Sequence, residues 1–546
     1  MLANMMQQPL LISSLLTHAE RHHGGQEVVS RRVEGDVHRT TYGELAERSR
    51  RMANALAARG IGFGKRVATL AWNGYRHMEL YYAVSGSGSV LHTINPRLHP
   101  DQVVWIADHA EDQVLFFDLT FLPLVEAVAP RVKTIKAFVA MTGRDHMPAQ
   151  TSIPNLLCYE ELVEAHCDDF EWPVFDENTA SSLCYTSGTT GNPKGALYSH
   201  RSSVLHTYAI ALPDSFGCSA RDVVLPVVPM FHVNAWGLPY AGCMTGAKLV
   251  FPGPFLDGKS LYELFEAERV TMSAGVPTVW QGLLAHVEAN NLKFSTMRRT
   301  VIGGSACPPA MMTAFQDRYD VTVLHAWGMT EMSPLGTVCT LKPGQELLSA
   351  QEWLAIQAKQ GRSVYGVDMK IVDANGAELP RDGKASGELM VRGPWVISGY
   401  FKSEGGDPLA YSKDGGWFPT GDVATIDADG FMQVTDRSKD VIKSGGEWIG
   451  SIDLENIAMS HPAVALAACI AARHAKWDER PLLVVVKKPD ALLSRDELLK
   501  HFEGRIAKWW TPDDVVFVDA IPLGATGKVQ KNRLRDQYGD HLLQRA

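Results

Sequence analysis

No two cysteines are spaced as Cys-x-x-Cys, and eight in 546 residues are too sparse for a disulfide framework. A reducing, cytoplasmic setting is expected. Runs of five or more basic residues are also missing, and the balance is mildly acidic, 52 Lys and Arg against 61 Asp and Glu, for a net charge of −9. Neither nucleic acid nor an anionic membrane surface is expected as a main partner. No Lys or Arg precedes Arg21, and Ser13, Ser14 and Thr17 interrupt the apolar run of the N-terminus. The charged start and cleavage site of a signal peptide are lacking, so the segment reads as an amphipathic helix on a globular body. A membrane span is lacking too. The longest stretch without Asp, Glu, Lys or Arg, Val223 to Ala247, contains Pro226, Pro229 and Pro239 with His232 and Asn234, and is predicted to be buried strand and loop.

What is present is an ordinary globular composition, 45% hydrophobic and 21% charged, which excludes collagen-like and disordered chains. At about 150 residues per domain, the length predicts three or four packing units, or one large and one small. Short apolar runs, Val67 to Trp72, Val114 to Asp118 and Ala137 to Ala140, alternate with helical patterns such as Tyr42 to Arg59. That alternation predicts an α/β body with largely parallel sheets. Between Gly387 and Thr435 the texture changes to short β-rich runs punctuated by Gly and Asp, a small barrel or meander. From Arg437 the pattern is helix (Asp453 to Ser460), strand (Ala465 to Ala471), strand (Pro481 to Lys487), helix (Arg495 to Lys508) and strand (Asp514 to Val518). The expected division is therefore 1–436, a large domain of mixed sheets flanked by helices with a small β-rich subdomain, and 437–546, a small mobile α+β lid.

The most informative segment runs from Tyr185 to Gly195 and reads Tyr-Thr-Ser-Gly-Thr-Thr-Gly-Asn-Pro-Lys-Gly. Its backbone amides and the hydroxyls of Thr186, Ser187, Thr189 and Thr190 could wrap a polyphosphate, with Lys194 as counter-charge. A lone Gly-x-x-Gly is usually a surface turn; four hydroxyls, two spaced glycines and a lysine in one short loop argue otherwise. It is not a Walker A loop. That pattern needs four residues between its glycines and a Ser or Thr after the lysine, whereas Gly188 and Gly191 are three apart and Gly195 follows Lys194.

The loop resembles the phosphate-binding signature of the adenylate-forming superfamily of acyl-CoA synthetases, adenylation domains and luciferases, and further motifs follow in the family's order. Pro229 to Gly237 resembles the segment whose His borders the carboxylate, here His232. The resemblance adds Val233, Trp236, Gly303, Gly328 and Pro334 to the acid pocket, with Trp236 one helical turn beyond His232. Gly303-Gly-Ser-Ala306, with Gly304, Ser305 and Ala306, and Trp327-Gly-Met-Thr-Glu331, with Met329, resemble the segments enclosing adenine and α-phosphate. Trp327 stands where the family more often has Tyr, so stacking on adenine is expected to survive without a phenol hydroxyl. The resemblance implies that Thr330 donates to the α-phosphate and that Glu331 and Thr186 hold Mg²⁺. It implies further that Asp422 accepts the ribose hydroxyls with Arg437 nearby. Lys439 takes the hinge position, Lys443, Gly445 and Gly446 lie on the loop that meets CoA, and Lys528 is the adenylation lysine. One departure is Gly445-Gly-Glu-Trp-Ile-Gly-Ser-Ile-Asp453, where many members read Gly-Gly-Glu-Asn and then Pro; it sets Trp448 beside the pantetheine tunnel.

The resemblance implies an AMP-forming acid–CoA ligase that uses ATP, Mg²⁺ and CoA on a small carboxylic acid, with a homodimer as the candidate assembly. The N-terminal segment and Lys443 to Asn456 are similar to the branch holding 3-methylmercaptopropionate and medium-chain fatty acid ligases. The former acid is expected and the latter class is the alternative. Three rivals carry cheap discriminators. A carrier-loading module would not work with CoA alone, a luciferase would emit light with ATP and oxygen, and a nucleotide sensor would have no use for Lys528 or a hinge.

Overall fold

The computed structural model describes residues 3–186, 193–402, 416–444, 447–524 and 528–543, without the side chains of 447 and 448. Local signals set the elements. Thr41 starts helix Tyr42–Ala57 with a capping box: its hydroxyl accepts from the Glu44 N–H at 3.3 Å, and the Glu44 carboxylate accepts from the Thr41 N–H at 3.0 Å. Tyr42, Leu45, Ala46, Ser49, Met52, Ala53 and Leu56 return at helical spacing to one buried face. The N-terminal helix Ile12–His23 buries Ile12, Leu15, Leu16 and Ala19 in the same way.

Two large sheets build the body. One has seven strands in the order Leu157–Cys158, Ala137–Ala140, Asp112–Phe117, Arg66–Leu70, Val90–Thr93, Ala180–Thr186 and Lys194–Ser199, all parallel except for the final hairpin. The other has nine strands, and its parallel centre includes Val223–Pro226, Met272–Gly275, Arg299–Ile302 and Thr322–Gly328. Val67, Ala68, Leu70, Val301 and Ile302 are fully buried, as parallel strands covered on both faces require. A four-stranded antiparallel sheet takes Gly387–Arg392, Phe418–Ile426 and Met432–Arg437 from the β-rich segment read from the sequence and adds Asp368–Val372, which precedes that segment. The C-terminal sheet joins Ile442–Ser444, Glu447–Ile449, Val464–His474, Asp478–Lys487 and Asp514–Phe517. The architecture is the expected α/β one, a large N-terminal part and a smaller C-terminal domain.

Three local expectations need correction. The helix read as Arg495 to Lys508 stops at Lys500; Phe502 turns into the core and Gly504 adopts φ +73°, which breaks the ladder before a short 3₁₀ turn at Lys508–Trp510. The stretch Val223 to Ala247 is strand and loop as far as Gly237, but Leu238–Thr245 is a helix, with Pro239 in its first turn where no N–H is missed. Trp236 is not one right-handed helical turn beyond His232. Val233, Asn234, Ala235 and Trp236 have φ of +47°, +52°, +50° and +55°, a left-handed turn closed by Gly237 at +78°. Among the described residues no helix is long and apolar enough to cross a membrane.

Candidate active site

Four segments leave the carboxyl ends of parallel strands in the two large sheets, the place where open α/β sheets form a crevice. Ala180–Thr186 leads into the expected phosphate loop, Val223–Pro226 into the left-handed turn, Arg299–Ile302 into Gly303 and Gly304, and Thr322–Gly328 into Thr330 and Glu331.

Thr186 and Lys194 are register partners at the base of the phosphate hairpin, and the Lys194 ammonium lies 4.9 Å from the centre of the Tyr400 ring. Ser187, Gly188, Thr189, Thr190 and Gly191 lie outside the described residues, as do Gly445 and Gly446. Phe401 N–H donates to the Gly195 carbonyl at 2.8 Å and Ile397 N–H to the Glu331 carbonyl at 2.9 Å, so the stretch 397–401 ties the hairpin to the Thr330–Glu331 turn. Within it the Tyr400 hydroxyl donates to Glu331 Oε1 at 2.7 Å, while the Tyr198 hydroxyl donates to the Thr330 carbonyl at 2.5 Å. Thr330 and Glu331 are buried.

Glycines permit the close approaches. A Cβ on Gly328 would sit 2.2 Å from the Pro334 carbonyl oxygen, and one on Gly303 would sit 2.9 Å from the Ala326 carbonyl and 3.2 Å from Trp236 Cη2. Met329 N–H donates to that same Pro334 carbonyl at 3.0 Å. Trp236 therefore reaches Gly303, and Pro334 reaches Gly328. Ser305 and Ala306 continue the chain from Gly304.

Asp422 is buried and faces Arg437 across an antiparallel pair. Trp327 Nε1–H donates to its Oδ2 at 2.8 Å, and Arg437 Nε lies 2.7 Å from Oδ1 as an ion pair. Oδ1 takes no hydrogen bond among the described residues, so its lone pairs suit an incoming hydroxyl. One edge of the Trp327 indole is packed so closely on Gly336 that a Cβ there would lie 2.5 Å from Cζ3.

Lys528 enters this cluster from the C-terminal domain. Its loop is closed by Gly524 N–H donating to the Lys528 carbonyl at 2.7 Å and Gln530 N–H to the Pro522 carbonyl at 2.8 Å. Its Cε lies 4.0 Å from the Cβ position of Gly304, where φ is +83°. Burial, then repulsion from Arg437, pulls the ammonium down to about 8 against the opposing pull of Asp422 and Glu331. His232 is pushed down to about 4 by burial and then by Lys528, so it is neutral at ordinary pH. Lys439 lies on the surface at the domain junction, and its ammonium is lowered chiefly by partial desolvation. Lys443 is exposed on strand Ile442–Ser444, with its N–H donating to Glu479 Oε2 at 2.8 Å, and its register partner is Trp448, whose side chain is not described.

The left-handed turn is strained, by about 1–2 kcal/mol per non-glycine residue, and buried polar groups hold it. Asn234 Nδ2 donates to Ser182 Oγ at 2.9 Å and the Tyr81 hydroxyl donates to the Met230 carbonyl at 2.5 Å. Asn73 donates to the Pro226 and Val228 carbonyls at 2.8 and 2.9 Å and accepts from the Met230 N–H at 2.6 Å. Sequence reading missed Asn73, Tyr81, Tyr198 and Tyr400. Their partners are distant in sequence, and no local pattern marks them.

The profile of the AMP-binding enzyme family matches residues 15–401, and that of the AMP-binding enzyme C-terminal domain matches 453–528. The chain is 56% identical over 542 residues to the 3-methylmercaptopropionyl-CoA ligase of Ruegeria lacuscaerulensis, covering 99% of this chain and 100% of the relative. It is 53% identical to the medium-chain-fatty-acid–CoA ligase of Ectopseudomonas oleovorans, covering 100% of this chain and 98% of the relative. The crystal structure of an anthranilate CoA ligase in complex with anthranoyl-AMP shares the fold, with TM-score 0.87, 22% identity and all of both chains covered. Motifs, sheets and full-length similarity agree: this chain belongs to the AMP-binding enzyme family.

Proposed function

We propose that the protein is an AMP-forming acid–CoA ligase whose acid is 3-methylmercaptopropionate. The observation that carries the reading is the placement of Lys528, a partly buried lysine beside Gly304 and within electrostatic reach of Glu331 and Asp422. The name of the Ruegeria relative supports the acid, and that of the Ectopseudomonas relative supports a medium-chain acid as the second reading. Thioester formation from CoA over a panel of acids decides. Best use of 3-methylmercaptopropionate supports the proposal, and best use of octanoate or longer acids replaces it with the second reading.

A carboxylate cannot expel oxide, so its oxygen attacks the α-phosphorus of ATP and pyrophosphate leaves with the bonding pair. The thiol of CoA then attacks the acyl carbon, and AMP leaves. The first step sets anion against anion, so the chain must supply cations and donors aimed at the phosphorus. Lys528 and Lys194 are the cations and the Thr330 hydroxyl a donor, while neutral His232 borders the carboxylate. Trp327, Gly304, Ser305, Ala306 and Met329 enclose the adenine end, and Asp422 takes the ribose. Glu331 and Thr186 present hard oxygens that fit Mg²⁺, which when bound would neutralise phosphate charge. The expected homodimer and cytoplasmic setting belong to the same proposal, and light scattering tests the first.

Trp327→Phe keeps an aromatic face but leaves Asp422 without its indole donor. The KM for ATP is expected to rise about tenfold, with a smaller change for the acid, measured by pyrophosphate exchange. The small domain is proposed to turn about Lys439 after adenylation, withdrawing Lys528 and bringing Lys443, Gly445, Gly446 and Trp448 to CoA. Lys443→Ala is then expected to slow thioester formation about tenfold or more while pyrophosphate exchange continues. Loss of exchange with transfer spared would contradict the turning of the domain.

A further inference from the structure

We infer that His206 is a positioning residue for the acyl pocket, a single buried imidazole that clips the turn carrying Trp236 to the segment carrying Pro334. His206 lies on helix His200–Ala211 and is 1% exposed. On one side its Nε2 accepts the Leu335 N–H at 3.2 Å. The Leu335 carbonyl accepts from Trp395 Nε1–H at 2.9 Å, and the His206 and Trp395 rings meet edge to face at 6.0 Å. On the other side stands Gly237, the last residue of the left-handed turn, so close that a Cβ there would lie 2.9 Å from His206 Nδ1. The ring thus sets the spacing between the two segments.

The consequence falls on the acid. Trp236 immediately precedes Gly237, and Pro334 immediately precedes Leu335. Trp236 reaches Gly303 and the Pro334 carbonyl reaches Gly328, so a shift of the imidazole moves both contacts together. Accepting the Leu335 N–H requires an unprotonated Nε2, and burial pushes His206 down to about 3, which keeps it neutral at working pH. A neutral aliphatic residue would fill the space and leave the Leu335 N–H buried without an acceptor. The inference rests on the proposed reading that Trp236 and Pro334 face the acyl group.

The test measures KM for a series of straight-chain acids and for ATP by pyrophosphate exchange in His206→Leu and His206→Gln. His206→Leu is expected to raise the KM of the preferred acid about tenfold and to flatten the chain-length profile, with KM for ATP within about twofold. His206→Gln, whose amide oxygen can accept the same N–H, is expected to restore most of the loss. An unchanged profile in His206→Leu, or equal losses for acid and ATP that glutamine does not rescue, overturns the inference. Should His206→Leu fail to fold, Gly237→Ala pushes the same ring from the turn side, and an unchanged profile there overturns it equally. A profile that shifts in His206→Leu but not in Trp236→Ala overturns the placement of Trp236 at the acid instead, and leaves the clip acting through Pro334.

Discussion

Lys528→Ala is expected to lower acyl-adenylate formation about 10²- to 10³-fold, while thioester formation from supplied acyl-adenylate stays within about threefold of the wild type. The asymmetry follows from charge. Carboxylate attack on the α-phosphorus concentrates negative charge on the phosphate oxygens, and Lys528 is partly buried beside Gly304, where reduced solvation strengthens the effect of its ammonium. Attack of the CoA thiol on the acyl carbon develops its charge first on the carbonyl oxygen rather than at phosphorus, and the lysine is proposed to have left the site by then. Equal loss in both halves would reject the assignment. A melting temperature close to that of the wild type separates either outcome from misfolding.

The lowered pKa of Lys528 gives a second readout of the same residue. Burial disfavours the charged form, so the free enzyme loses this proton as the pH rises through about 8. On that sign kcat/KM for adenylation falls on the alkaline side with a midpoint near that value. In Lys528→Arg the guanidinium stays charged throughout, so the alkaline limb moves out of range even if the rate is lower. His232 adds no acid limb near neutrality, because it takes up its proton only near pH 4.

Much of this was legible in the sequence because it is local. Apolar runs such as Val67 to Trp72 became buried parallel strands, and the capping box at Thr41 fixed a helix boundary. The family motifs single out Thr186, Thr330, Glu331, Asp422 and Lys528; of these, Lys528 comes within electrostatic reach of Glu331 and Asp422, and Thr186 is the register partner of Lys194. What stayed hidden depends on partners far along the chain. Tyr400 meets Glu331 across 69 residues and Trp327 meets Asp422 across 95, and neither pairing leaves a periodic trace. The left-handed turn at Val233 to Gly237 was read with the wrong hand because Val, Ala and Trp have no preference for positive φ. Asn234, the one non-glycine residue there that tolerates it, is committed by hydrogen bonding to Ser182. The helix expected to run to Lys508 ends at Lys500 for a similar reason: the burial of Phe502 and the positive φ of Gly504 are set by tertiary packing, which the local pattern does not carry.

Trp236→Ala tests the wall of the acyl pocket with little risk to the backbone. Both residues carry a Cβ, so the strain at φ +55° is the same before and after, and the anchors of the turn at Asn73, Tyr81 and Asn234 are untouched. What changes is bulk: the indole that reaches Gly303 disappears, and the vacated volume admits further methylenes. Each methylene accommodated in an apolar pocket is worth about 1–3 kcal/mol, so acids longer by a few carbons should gain about tenfold or more in kcat/KM, while the short acid loses through a poorer fit. Sulfur adds a finer discrimination. A thioether at an aromatic edge gains about 0.3–1.5 kcal/mol, so in the wild type the all-carbon isostere of 3-methylmercaptopropionate should be used less well by a few-fold to about tenfold. Trp236→Ala should narrow that gap. A wild type that prefers acids of about twelve carbons or more, or a Trp236→Ala profile identical to the wild type, would remove Trp236 from the pocket's end and return the protein to the medium- or long-chain reading.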